Sequence, residues 1–269
     1  MPDPSQPPFQ VDLSTPAVAR IDDFLLGGGH NFWADRVAGE RLVAAVPCIK
    51  GSAAAHRGFV KRAVLTIAGL GVRQFLDLGA GLPTLSAPHS VANEVAPGTV
   101  VVYVDNDPVV VSHAELMTEQ DARTAVVQAD LADSDFVLGN DVTSGLLDFT
   151  RPVAVLMCAS LQHLCEAEDD DATRIVASYL EALCPGSYLV MSHMTADYDA
   201  EATALVRELF ATTTAPVRPR SESWLRRCFA GLELLAPGVT TPALWRPDDA
   251  SLGTHPALYH VAIGCKSAA

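Results

Sequence analysis

The stretch Phe75-Leu76-Asp77-Leu78-Gly79-Ala80-Gly81-Leu82-Pro83 runs an acid-tipped apolar segment straight into a GxG turn. Two glycines there let the backbone bend tightly and let a ligand lie against it. A second apolar run, from Val100 to Val104, ends in Asp105-Asn106-Asp107-Pro108, with Asp105 placed 24 residues after Gly81. An ionised carboxylate at that spacing accepts hydrogen bonds from both hydroxyls of a ribose. Asp107 followed by Pro108 reads instead as a helix start, Asp as N-cap and Pro at the first position. A third run, Ala125 to Gln128, closes on Ala129-Asp130-Leu131. Three successive strand tips therefore carry a short acid on one edge of a sheet.

Those acids separate two nucleoside ligands. A dinucleotide site expects GxGxxG, with its third glycine packing helix on strand and a pyrophosphate on the helix N-terminus. Here the third glycine is missing, Pro83 stands two residues after Gly81, and Asp77 would repel the pyrophosphate. A ligand with an adenosine, no phosphate and a cationic ammonium and sulfonium avoids that repulsion. S-adenosylmethionine has this character.

The elements that must position these tips follow from periodicity. Strands are expected over Gln74 to Leu78, Val100 to Val104, Ala125 to Gln128, Val153 to Met157, Tyr188 to Ser192, Leu232 to Leu235 and Tyr259 to Ile263. Helical stretches alternate with most of them, as in a parallel sheet with crossovers, and the last two runs lack a helix between them, so they are expected to pair antiparallel. The expected fold is α/β: a doubly wound, seven-stranded, mostly parallel sheet. Ahead of it lie helical stretches from Pro16, from about Asn31 to Val46 and from about Ser52 to Ala68, read as a helical cap over residues 16–70 after a proline-rich tail over 1–15 and before the binding domain at 71–269. Phe24, Phe32 and Trp33 have two readings, the apolar underside of the cap or side chains that pack two helices together, and Gly27-Gly28-Gly29 suits either a lid hinge or a tight bend.

Composition narrows the function. Eighteen Lys plus Arg against 32 Asp plus Glu leave a net charge of −14, which opposes nucleic acid and anionic membranes as partners. No stretch reaches the roughly 20 apolar residues of a membrane span, and Met1 to Gln10 has no basic start and no apolar h-region, so a cytoplasmic protein is expected. The six cysteines form no CxxC pair and no metal-ligand spacing, so no metal is expected. The run Glu168-Asp169-Asp170-Asp171 reads as a solvated helix start, and His89, His113 and His193 as structural or solvated.

Over residues 73–193 the motifs resemble those of the class I S-adenosylmethionine-dependent methyltransferases. The amino-terminal Ala19-Arg-Ile-Asp-Asp-Phe-Leu-Leu-Gly-Gly, with Asn31-Phe32 and Asp35-Arg36, resembles a bacterial subfamily whose acceptors are unassigned. The resemblance implies a Rossmann-like methyltransferase fold and S-adenosyl-L-methionine as cofactor. It implies that Asp77, Gly79 and Gly81 border the methionine moiety, that Asp105 binds the ribose, that Asn106 lies beside the adenine, and that Asp130 and Leu131 meet its amino edge. Ser187 stands where a second glycine is common in the turn into the fifth strand. The tip Cys158-Ala159-Ser160-Leu161-Gln162-His163 falls where that class places the methionine end and often the acceptor, which puts Ser160 beside the cofactor. His163 is the candidate general base, since imidazole titrates near working pH, with capping or packing at the strand exit as the alternative reading. Arg20 is a candidate for the cofactor carboxylate, with solvation as its alternative. The expected reaction is in-line methyl transfer to a small molecule. Two rivals are a non-catalytic S-adenosylmethionine-binding module and a nicotinamide-dependent oxidoreductase, the latter opposed by Pro83 and Asp77.

Overall fold

In the computed structural model, which describes residues 12–84, 86–165, 168–248 and 257–268, the apolar runs pair into one seven-stranded sheet. Three helices come first: α1 (Val18–Leu25), α2 (Trp33–Ala45) and α3 (Ile49–Gly69). Strand β1 (Gln74–Leu78) follows, then α4 (Pro88–Val95), β2 (Val100–Asp105), α5 (Pro108–Thr118) and β3 (Thr124–Gln128). Two short helices, α6 (Ser134–Gly139) and α7 (Asp141–Leu146), lead to β4 (Ala154–Cys158), α8 (Asp169–Ala182) and β5 (Tyr188–Met194). The chain closes with α9 (Ala200–Phe210), α10 (Glu222–Cys228), β6 (Glu233–Leu234) and β7 (Tyr259–Cys265). Every strand lies within two residues of its expected bounds.

The strand order is β3-β2-β1-β4-β5-β7-β6, parallel from β3 to β5, with β7 antiparallel to both β5 and β6 as expected for the last pair. The winding reverses between β1 and β4. A crevice opens there at the carboxyl ends of the strands, the place where sheets of this kind bind ligands.

Alternation along the strands decides what each face of the sheet meets. Leu76, Leu78, Val102, Val104 and Val155 enter one buried cluster; Phe75, Val101, Tyr103, Ala154 and Leu156 enter another on the opposite face. Phe59, Ala63 and Ile67 of α3 close that second cluster, and burying each large side chain contributes about 1.5–3 kcal/mol. By the same alternation Asp77 points to the α3 side. A third cluster joins Ile21, Leu42 and Ile49 to Met194, Val206 and Phe210, fastening α1, α2 and the start of α3 onto α9 and the tip of β5. Helix α3 thus has two environments: its first turns lie among helices and its later turns lie beneath the sheet. Residues 1–11 of the expected tail lie outside the described residues.

Candidate functional site

The turn after β1 is built by close approach to its neighbours. Gly79 and Gly81 take φ of +71° and +63°, and the Gly79 and Ala80 N–H groups both donate to the Val104 carbonyl, at 2.8 and 3.2 Å. A Cβ on Gly79 would lie 2.4 Å from the Ser160 Cβ, so the tip of β4 leaves no room for any other residue. At the tip of β2, Asp105 accepts the Gly81 N–H on Oδ2 at 2.9 Å and the Asp107 N–H on Oδ1 at 3.0 Å. Each oxygen keeps a lone pair for a ligand. Asp107 caps α5, accepting the Val109 N–H at 2.8 Å, as its place before Pro108 predicts. Asn106, Asp130 and Leu131 line the same cavity as Asp105.

The tip of β4 carries strain. Ala159 takes φ of +59°, a region that costs a non-glycine residue about 1–3 kcal/mol and that clusters at ligand sites. Its N–H donates to the Ser192 carbonyl, and the turn delivers Ser160 to the cavity wall with its Oγ buried and without a partner among the described residues. His163 ends the following 3₁₀ turn (Leu161–His163). Its Nδ1 lies 3.1 Å from both the Ala215 and Pro216 carbonyls, which can only accept, so Nδ1 carries the proton and Nε2 is the basic nitrogen. Burial holds its pKa below the usual imidazole value, keeping the ring neutral at pH 7.

Asp77 is buried at the end of β1, and the loss of water raises its pKa to about 7, only partly opposed by the Arg57 guanidinium. Arg57, on α3, was not singled out by sequence reasoning. It lines the cavity with its Nε buried and without a partner among the described residues, and it stands 3.7 Å from Asp22. Arg20 departs from the expectation of a solvated side chain and is a poor cofactor ligand. It is buried, its Nε pairs with Asp35 Oδ2 at 2.8 Å, and its Nη2 donates to the Thr15 carbonyl. Its charge is already neutralised inside the protein, although the side chain borders the cavity. Arg57 is the better-placed cation for a carboxylate.

The amino-terminal motif closes over the crevice through two aspartates. Asp35 accepts from Arg20, from the Ala17 N–H and from the Phe32 N–H. Asp23 accepts the His30 N–H at 2.7 Å, Asn31 Nδ2 at 2.9 Å and Thr84 Oγ at 3.3 Å, tying the glycine loop to the segment that follows the GxG turn. A Cβ on Gly28 would come within 2.0 Å of Asp23 Oδ1, which is why this loop requires glycine there. Of the two readings of the aromatic residues, the underside of the cap is corrected in favour of packing about the helices. Trp33 is 73% exposed, Phe24 packs against Gly39, and Phe32 lies under Arg20. All three pack between or outside α1 and α2, and the cavity is roofed by Leu25, Ile49, Ala53 and Phe210.

The cavity measures about 680 Å³ and runs from Asp105 and Asn106, past Ser160 and Asp77, to Phe210 and Tyr259. An adenosyl-methionine ligand fits its donor set. The Asp105 lone pairs suit a ribose diol, Asp77 suits an ammonium, Arg57 suits a carboxylate, and the orphaned Ser160 Oγ marks a polar site awaiting a partner. His193 is absent from this wall; it is buried between Arg220 and Trp224, a structural role as expected. Asp169 heads α8 and holds Arg220 at 3.0 Å.

Residues 4–266 match the family model described as S-adenosyl methyltransferase. A candidate methyltransferase from Thermobifida fusca YX is 37% identical, over 98% of this chain and 100% of its own, with a TM-score of 0.88. A DUF574 family protein from Streptomyces avermitilis MA-4680 is 35% identical, over 96% of this chain and 100% of its own, with a TM-score of 0.90. No curated protein matches the chain.

Proposed function

This chain belongs to the S-adenosyl methyltransferase family, and from that premise we propose that it methylates a small molecule held at the roofed end of its cavity. One observation carries the reading: the cavity continues past the nucleoside end into a chamber under α1, α3 and α9, walled by Leu25, Ile49, Val206 and Phe210. A chamber of this kind suits a compact apolar acceptor. A net charge of −14 argues against nucleic acid as the acceptor.

S-adenosylmethionine supplies a methyl group already activated by its sulfonium charge. The protein's own work is then to hold, orient and exclude water. Asp105 with the Gly81 and Asp107 N–H groups fixes the ribose end, Asn106, Asp130 and Leu131 border the base, and Arg57, Asp77 and Ser160 grip the amino-acid end. Positioning of this sort supplies up to about 7–11 kcal/mol of a bimolecular barrier. His163 is assigned as the proton acceptor, its neutral Nε2 being the basic nitrogen of the ring. All six cysteines are free, which suits the reducing cytosol, and among the described residues no helix is long and apolar enough to cross a membrane.

The test is a screen with methyl-labelled S-adenosylmethionine against amines, alcohols, phenols and thiols, with RNA, DNA and protein in parallel. Label should enter small molecules. Label entering a polymer alone would refute the proposal. With the acceptor in hand, His163→Gln should lower turnover by about 10²-fold or more while cofactor affinity holds.

A further inference from the structure

On α1 the cavity wall carries an ionic group, Asp22, that is used neither by the cofactor contacts nor by the hydrogen bonds that hold Arg20 and Asp23. Asp22 lines the cavity with 40% of its side chain exposed, and the loss of water around it raises its pKa. Its one ion-pair partner among the described residues is Arg57, at a loose 3.7 Å. Around it the wall is apolar and aromatic. Tyr259 stacks on His56 with ring centroids 5.0 Å apart and planes 26° apart, and His56 Nε2 meets the Ser192 hydroxyl at 2.7 Å. Phe210 and Ile49 complete the enclosure.

We propose that Asp22 is the specificity-determining residue of the acceptor chamber and that the acceptor is an amine carried on a ring-containing apolar body. The inference rests on the methyltransferase reading above. With the cofactor's carboxylate on Arg57, that guanidinium is satisfied, and Asp22 is left as a carboxylate facing an apolar space. A charge so placed is costly unless a cation joins it. An acceptor bearing a carboxylate would meet Asp22 and be repelled. A neutral hydroxyl gives Asp22 one ordinary hydrogen bond; an ammonium gives it a charge-assisted one. The stacked rings of Tyr259 and His56 and the face of Phe210 supply the flat apolar surface for the rest of the molecule.

The chemistry balances. The bound ammonium passes one proton to His163 Nε2, and the freed nitrogen lone pair forms the bond to the methyl carbon. The carbon–sulfur bond breaks with its electron pair left on sulfur, so the positive charge moves from sulfonium to the methylated nitrogen.

Calorimetry on the full chain tests the proposal without turnover. The protein is saturated with S-adenosylhomocysteine and titrated with benzylamine, 2-phenylethylamine and 3-phenylpropylamine, each beside its isosteric alcohol. At least one amine should bind the wild type about tenfold or more tightly than its alcohol, as a hydrogen bond to a charged group predicts. Asp22→Asn should remove that preference and leave alcohol binding within twofold, while S-adenosylhomocysteine binds at least as tightly, because the Arg57 guanidinium is freed from its ion pair. Alcohols binding as well as amines, no amine binding, or an Asn variant that keeps the preference would each overturn the proposal. The amine-to-alcohol ratio of the wild type decides the matter even if the variant misfolds. Failure of S-adenosylhomocysteine to bind the wild type is a distinct result, and it strikes the methyltransferase reading itself.

Discussion

Replacing Asp77 by Asn should stabilise the ligand-free protein and weaken the cofactor at once. Burial raises the Asp77 pKa from 3.8 to about 7, so the folded chain favours the protonated acid and the unfolded chain the ionised one. The stability this group contributes is therefore complete below pH 3.8 and is lost as pH rises through about 7. The gap between those values corresponds to about 4 kcal/mol, a ceiling because the buried amide brings its own hydrogen-bonding demand. Above pH 7 the Asn variant escapes the penalty. Its melting temperature at pH 8 should exceed that of the wild type, by roughly 2–4 °C for each kcal/mol recovered. The difference should shrink towards pH 4. Affinity for S-adenosylmethionine should move the other way, falling about 10-fold to 150-fold as an ionic hydrogen bond to the ammonium is lost. Thermal melts from pH 4 to 8 and calorimetry at pH 8 measure both quantities. A melting difference that stays constant with pH, or an Asn variant binding the cofactor as tightly as the wild type, would refute this account of Asp77.

Three other substitutions probe different parts of the site. Asp105→Ala removes the acceptor of the Gly81 and Asp107 N–H groups together with the ribose contacts, and should cost S-adenosylhomocysteine about 1.5–3 kcal/mol by calorimetry; unchanged affinity in a folded variant would mean the ribose lies elsewhere. Arg57→Gln should weaken S-adenosylhomocysteine about tenfold and leave adenosine binding alone, because only the former carries a carboxylate; equal losses for both ligands would argue that Arg57 merely supports the fold. Gly28→Ala places a Cβ 2.0 Å from Asp23 Oδ1 and should destabilise the chain by about 1–3 kcal/mol, read from its denaturation midpoint. An unshifted midpoint there would show that the Asp23 hub yields freely.

What the sequence by itself determined is local in origin. Short apolar and β-branched runs located all seven strands, the GxG turn located the end of β1, and the Asp-Pro pair separated the capping Asp107 from Asp105, which lines the cavity. Each signal spans a few residues, so it survives without knowledge of the fold. Only the tertiary structure decided the rest. Arg57 looks like any exposed helical arginine until α3 is laid across the tip of β1, and Arg20 looks solvated until Asp35, fifteen positions on, closes on it. The aromatic run Phe24, Phe32 and Trp33 announced an apolar helix face without saying which neighbour it meets, and the pairing of α1 with α2 turned it away from the cavity. The roofed chamber is the extreme case: its wall joins α1, α3, α9 and the start of β7, segments spread over more than two hundred residues that share no pattern in the chain. Cavities are made by long-range packing, and no short-range periodicity encodes them.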